Sequence, residues 1–151
     1  MLRPTPDQER MTRPVLKQIC FFRKRPDMTM DEFMDYYENQ HSQLSKRMGR
    51  APAIKGAARY VRRYLVPEKN PVTGEVHDPG FDCLMEIWWN SREDFEASQR
   101  AIAAPDRIDF VREDEKNLFA GHANPVVTVI EYDSPMGPNG EATRVDVVYG
   151  D

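Results

Sequence analysis

Residues 21–41 read FFRKRPDMTMDEFMDYYENQH, and the order of residue types in this stretch decides the fold. The run Val15 to Arg23 (VLKQICFFR), which overlaps its start, is rich in aromatic and β-branched side chains and predicts a strand. Pro26-Asp27 ends that pattern. Thr29 and Glu32 then stand as Thr-x-x-Glu, the capping box in which each residue satisfies a backbone N–H left unpaired at a helix start. Beyond it Phe33, Tyr37, His41, Leu44 and Met48 recur at spacings of four, four, three and four, which predicts one helix face ending near Gly49.

Working outward, Ala58 to Val66 (ARYVRRYLV) predicts a second strand. Residues 67–80 (PEKNPVTGEVHDPG) hold three prolines and two glycines and read as a long connection. Phe81 to Trp89 (FDCLMEIWW) predicts a third strand, with Phe81, Cys83, Met85, Ile87 and Trp89 on one apolar face. Its other face, Asp82, Leu84, Glu86 and Trp88, is mixed. Ser91 and Asp94 repeat the cap at the start of another helix, Pro105 breaks it, and a further helical stretch is expected from Asp106 to Phe119. Val126 to Tyr132 (VVTVIEY) predicts the fourth strand. The order is β-α-β-β-α-β, and the two halves begin their helices alike. This is an α+β class, ferredoxin-like βαββαβ arrangement: an antiparallel four-stranded sheet with its helices on one face.

Three segments are expected: a flexible tail over 1–14, one domain over 15–132, and an extension over 133–151. In the extension Val145, Val147 and Tyr149 alternate as an extra edge strand would. With both helices on one side, the mixed sheet face is left uncovered, and a homodimer with the two sheets packed together would cover it.

Composition narrows the function classes. The chain has 151 residues, 40% hydrophobic and 30% charged, enough apolar matter for one core. No apolar run approaches the ~18 residues a membrane helix needs, and the first residues show no apolar segment of a secretory signal. Net charge is −4, split as +7 over residues 1–70 and −11 over 71–151. Basic residues are spread through periodic segments, so nucleic acid is not the expected partner; the opposite charges are expected to join halves of the fold, or two subunits. Cys20 and Cys83 both lie in apolar strand-like segments and read as reduced, buried thiols of a cytoplasmic protein. His41, His77 and His122 show no ligand spacing, so no metal or other cofactor is expected. Phosphate loops, serine-hydrolase elbows and zinc-peptidase motifs are missing from the sequence.

The strand end Phe21 to Arg25, Pro26-Asp27, the Thr29-capped helix and Tyr36-Tyr37 before His41 together resemble the EthD family. Glu86-Ile87-Trp88-Trp89-x-Ser91 and the strand end Glu131-Tyr132 are similar to its later motifs. The resemblance spans residues 15–132 and implies a dimeric α+β barrel with a pocket between helices and sheet. It also implies action on hydrophobic, often aromatic or polyketide-like molecules, mostly without a cofactor. The 67–80 insertion and the 133–151 tail depart from the family's shorter pattern.

His41, on the apolar helix face, is the expected catalytic group, because imidazole is suited to proton transfer near neutrality. Tyr37, one turn earlier, would donate a phenol to a carbonyl oxygen. The expected substrate-binding set is Phe33, Tyr60, Arg62, Met85, Trp89 and His122. Glu86 is expected in an ion pair across subunits, with Arg62 or Arg63 as partner. His77 reads as exposed. Together these residues predict proton transfer on a hydrophobic carbonyl compound, giving dehydration or isomerisation. The alternatives are a non-catalytic small-molecule binding or accessory protein, and a cofactor-free oxygenase.

Overall fold

In the computed structural model, which describes residues 16–121, 124–132 and 134–142, strand β1 (Leu16–Phe22) is central to one sheet. Helix α1 (Met30–Asn39) follows, and its capping box forms as the sequence predicts: Glu32 N donates to Thr29 Oγ1, and Thr29 N donates to the Glu32 carboxylate. Strands β2 (Ala57–Tyr64) and β3 (Cys83–Trp89) come next. Helix α3 (Arg92–Ala103) is capped by Ser91. Helix α4 (Pro105–Glu115) and the short β4 (Val126–Thr128) complete the order.

The sheet order is β2-β3-β1-β4, antiparallel throughout, which is the ferredoxin-like arrangement. Register pairs Leu16 with Trp89, Gln18 with Ile87, Cys20 with Met85 and Phe22 with Cys83, so these residues share one face. Phe33 and Tyr37 of α1, Phe95 of α3 and Leu118 and Phe119 beyond α4 pack on that same face. The core is aromatic. Phe22 and Phe119 stack with centroids 4.3 Å apart, and Tyr37 meets Phe33, Tyr64 and Phe119 edge-on.

The structure differs from the sequence expectations at four places. The long helix expected from Thr29 to Gly49 is broken: Gln40 leaves helical geometry (φ −121°, ψ −60°), a 3₁₀ turn covers His41–Gln43, and helix resumes as α2 (Leu44–Arg47). Phe81 does not extend the apolar face of β3. The strand begins at Cys83, because Asp82 turns its amide to the Phe22 carbonyl and its carboxylate to the Lys24 amide. The Phe81 ring meets Phe21 instead, 5.1 Å away on the opposite face. Pro105 starts a helix as well as ending one, since the first helical position needs no N–H. Strand β4 stops at Thr128, short of Tyr132. The tail over 1–14, the edge strand expected at 145–149 and His122 lie outside the described residues.

The opposite sheet face carries Lys17, Ile19, Phe21, Leu84, Glu86, Trp88 and Val127, with no helix among the described residues over it. Trp88 lies between two cations: Lys17 Nζ is 4.4 Å and the Arg59 guanidinium 4.8 Å from its ring. Lys17 also pairs with Glu131 at 2.8 Å. Glu86, 3% exposed, has Arg63 Nη1 2.7 Å from Oε2 but off the hydrogen-bond direction, so that oxygen is charge-paired without a hydrogen bond among the described residues. The partner is thus Arg63 of the same chain. Arg62 turns to the other face and grips Glu38. The Trp88 indole N–H is buried with no acceptor among the described residues.

Candidate functional site

Between the helices and the core face of the sheet lies a cavity of about 390 Å³. Its floor is Gln18, Cys20, Met85 and Ile87 from the sheet; its walls are Leu44 and Met48 after the helix break, Ile102 of α3, and Ile108 and Val111 of α4. Asn124 and Val126 line its β4 side, where Val126 is 47% exposed, so the cavity opens at that sheet edge. Polar and charged side chains, among them Ser98, Gln99, Arg107, Arg112 and Glu115, are set between these apolar surfaces, so the hollow can both bury a small molecule and orient it.

His41 faces into this cavity. Its Nδ1 is 2.8 Å from Oδ2 of Asp114, on α4. An ionised carboxylate only accepts, so the proton of the neutral ring sits on Nδ1 and Nε2 keeps its lone pair. Oδ1 of Asp114 accepts from Tyr36 Oη at 2.6 Å and from Arg47 Nη1 at 2.7 Å. The Asp114 side chain is 2% exposed. Burial opposes its ionisation, but the three donors outweigh burial and hold its carboxyl at about 2, below the ordinary 3.8. The ring of His41 is fixed on two sides, by Tyr37 at 4.9 Å and Phe119 at 5.4 Å, both edge-on.

This carboxylate sets an acid limb for stability. A folded value below the unfolded one means the stabilisation is full above about pH 4 and is lost as pH falls toward 2. The loss expected from this group is about 2 kcal/mol. Denaturant melts at several pH values should show this limb in the native chain and lack it in Asp114→Asn. An identical limb in the variant would contradict the assignment.

Tyr37 and Tyr60 share a hydrogen bond of 2.8 Å, Oη to Oη, on the sheet side of the cavity. Burial is the main reason both phenols are kept protonated, Tyr60 up to about 12 and Tyr37 well above its ordinary 10. Two hydroxyls bonded to each other use one proton between them, which leaves the other free to be donated to a ligand. Burial likewise pushes the Cys20 thiol up to about 11, so it lines the floor as an apolar thiol rather than a thiolate.

Of the residues expected from sequence, His41, Tyr37, Tyr60 and Met85 meet around one cavity. Phe33 and Trp89 do not line it: both are fully buried, and Trp89 donates its indole N–H to Gln18 at 3.0 Å. Arg62 also lies outside, held by Glu38 and stacked on the Tyr60 ring at 4.6 Å. His77 is exposed beside Glu75. Sequence reading missed Asp114 and Gln18. Asp114 lies three residues after Val111, on the inward arc of α4, and that spacing was the available signal. Gln18 alternates in phase with Leu16 and Cys20, which marks a polar group on the core face.

A family model described as the EthD domain matches residues 25–122. No curated protein matches the chain. Among solved structures, the chain is similar to an ethyl tert-butyl ether D (EthD) family protein from Bacillus halodurans, with 21% identity, 77% of this chain and 97% of that one covered, and a TM-score of 0.47. It is similar also to an Arabidopsis thaliana protein, with 12% identity, 80% and 99% coverage and a TM-score of 0.49. A third is a dimeric ferredoxin-like protein of unknown function from Thermobifida fusca, with 17% identity, 76% and 88% coverage and a TM-score of 0.43.

Proposed function

The chain belongs to the EthD family, and on that premise we propose that it is a cofactor-independent enzyme that moves a proton on a hydrophobic carbonyl compound. The observation that carries this reading is His41, clamped at Nδ1 by a buried carboxylate while its ring lines the cavity. In the first step the C–H bond α to the carbonyl breaks. Its proton goes to His41 Nε2, and its electron pair forms the enolate. The Tyr37–Tyr60 pair supplies the hydrogen bond to the enolate oxygen, an interaction that strengthens as charge develops there. Returning the proton to a different carbon completes an isomerisation. Delivering it to a departing β-hydroxyl releases water and completes a dehydration. Apolar walls and about 390 Å³ suit an aromatic or polyketide-like skeleton.

The test is incubation with aromatic and polyketide-like ketones in deuterium oxide, followed by mass spectrometry. Deuterium at the α carbon, or loss of one water, is expected. A ligand that binds and stays unchanged would make the protein a carrier; oxygen uptake would make it an oxygenase. Either result ends the proton-transfer reading.

We also propose that two copies associate through the uncovered sheet face. The support is the half-covered Ile19, Phe21, Leu84 and Trp88 and the exposed Val127 beside them. Light scattering at micromolar concentration should give twice the 17.5 kDa of one chain. A mass of one chain would overturn it.

A further inference from the structure

Asp114 is held by more than the proposed base. Tyr36, His41 and Arg47 all converge on it, although they come from one continuous stretch of chain. In an unbroken α-helix His41 and Arg47, six residues apart, would point about 120° away from each other. The turn at Gln40 and the 3₁₀ geometry of His41–Gln43 remove that offset and bring both onto one carboxylate. We infer that Arg47 is a positioning residue whose fixed charge offsets that of Asp114, so that the carboxylate orients the His41 ring while drawing a second proton to it less strongly. The inference rests on His41 being the base and deepens that reading.

The physical argument is a competition for one negative charge. A lone buried aspartate beside an imidazole favours the imidazolium, because the opposite charges attract strongly where water is excluded. An imidazolium has no lone pair and cannot abstract a proton. Here the guanidinium, charged at every accessible pH, occupies Oδ1 at 2.7 Å while His41 takes Oδ2 at 2.8 Å. The carboxylate therefore still orients the ring, through the hydrogen bond at Nδ1, yet offers less net charge to hold a second proton. Arg47 is seated by more than this contact: its guanidinium lies 5.6 Å over the Phe110 ring. Other titratable groups share the surroundings of His41: Tyr36 and Tyr37 of α1, Cys20 of β1, Tyr60 of β2, and Arg107, Arg112 and Glu115 of α4. Replacing Arg47 also alters the field at Tyr36, which shares Oδ1 of Asp114 with it, so the charge-conserving Arg47→Lys is the control that isolates the charge.

The experiment is an NMR titration of the imidazole of His41 in the full chain, assigned by the signal that vanishes in His41→Gln. In Arg47→Gln the midpoint is expected to rise by roughly one pH unit, a tenfold gain in proton affinity. In Arg47→Lys, which keeps the charge, the midpoint is expected to stay within a few tenths of the native one. An unmoved or lowered midpoint in Arg47→Gln overturns the inference. So does a rise of equal size in both variants, which would make shape rather than charge the cause. Arg47 is one-third exposed, so both side chains fit without opening the core. The titration needs no substrate: a shifted midpoint with no turnover would fail the proposed function alone, and turnover with an unmoved midpoint would fail this inference alone.

Discussion

His41→Gln should lower turnover by 10²–10⁴-fold while leaving the fold and the substrate affinity nearly unchanged, the range typical of losing a general base. Glutamine is the informative substitute because its amide can still donate to Asp114, where the imidazole Nδ1–H now donates at 2.8 Å. It cannot take a proton as Nε2 does. The carboxylate thus keeps its three donors and the aromatic neighbours Tyr37 and Phe119 keep a side chain to pack on. A group that acts only in the transition state changes the rate constant and spares the Michaelis constant. Steady-state kinetics on a converted ketone, with unfolding followed in parallel, measure both quantities. Full turnover in His41→Gln would remove His41 from the chemistry.

The second large effect concerns stability. Trp89→Ala should destabilise the chain by about 3–5 kcal/mol, the cost of emptying a large buried site. Trp89 has no exposed surface, packs with Leu16 and Ile87, and meets Phe95 edge-on at 6.1 Å. Its indole N–H also donates to the buried side-chain amide oxygen of Gln18. Trp89→Phe separates the two contributions: it keeps most of the volume but leaves that oxygen unpaired, for about 1–3 kcal/mol. Denaturant midpoints of the three proteins should fall in the order native, phenylalanine, alanine. A loss under about 1 kcal/mol in Trp89→Ala would show that the site collapses around the gap.

Much of this architecture is legible in residue order, and the reasons are local. Thr29 and Glu32 act within four residues of each other, so their pairing is readable without knowing the fold. Alternation of Cys83, Met85, Ile87 and Trp89 likewise marks the face of β3 that meets the helices. The helix break at Gln40 leaves no such mark: no proline or glycine stands there, and the turn is stabilised by contacts of His41 and Arg47 with a residue some 70 positions away. Asp114 is hidden for a related reason. In Arg112-Glu113-Asp114-Glu115 it sits in a run of charges of the kind that faces water, and only the donors arriving from α1 and α2 make it a buried acceptor. Trp89 shows the converse. Its spacing from Met85 placed it correctly on the inner face, but not in the core beside the cavity rather than on the cavity wall.

The uneven charge of the chain acquires a meaning from its ion pairs. Lys17 with Glu131, Arg23 with Asp78, Arg47 with Asp114, Arg50 with Asp106 and Arg63 with Glu86 each join a cation from the first 70 residues to an anion from the remainder. A ribosome makes these in order. The nascent chain emerges with the cations of β1, α2, β2 and the loops between them already present, carrying an excess of seven positive charges, before any of those anions exists. Until α4 is made, Tyr36, His41 and Arg47 have no acceptor to gather them, and the break after Asn39 has nothing to hold it. The cluster around Asp114 is therefore among the last things synthesis can assemble, and a chain truncated before Asp114 carries its proposed base without the group that orients it.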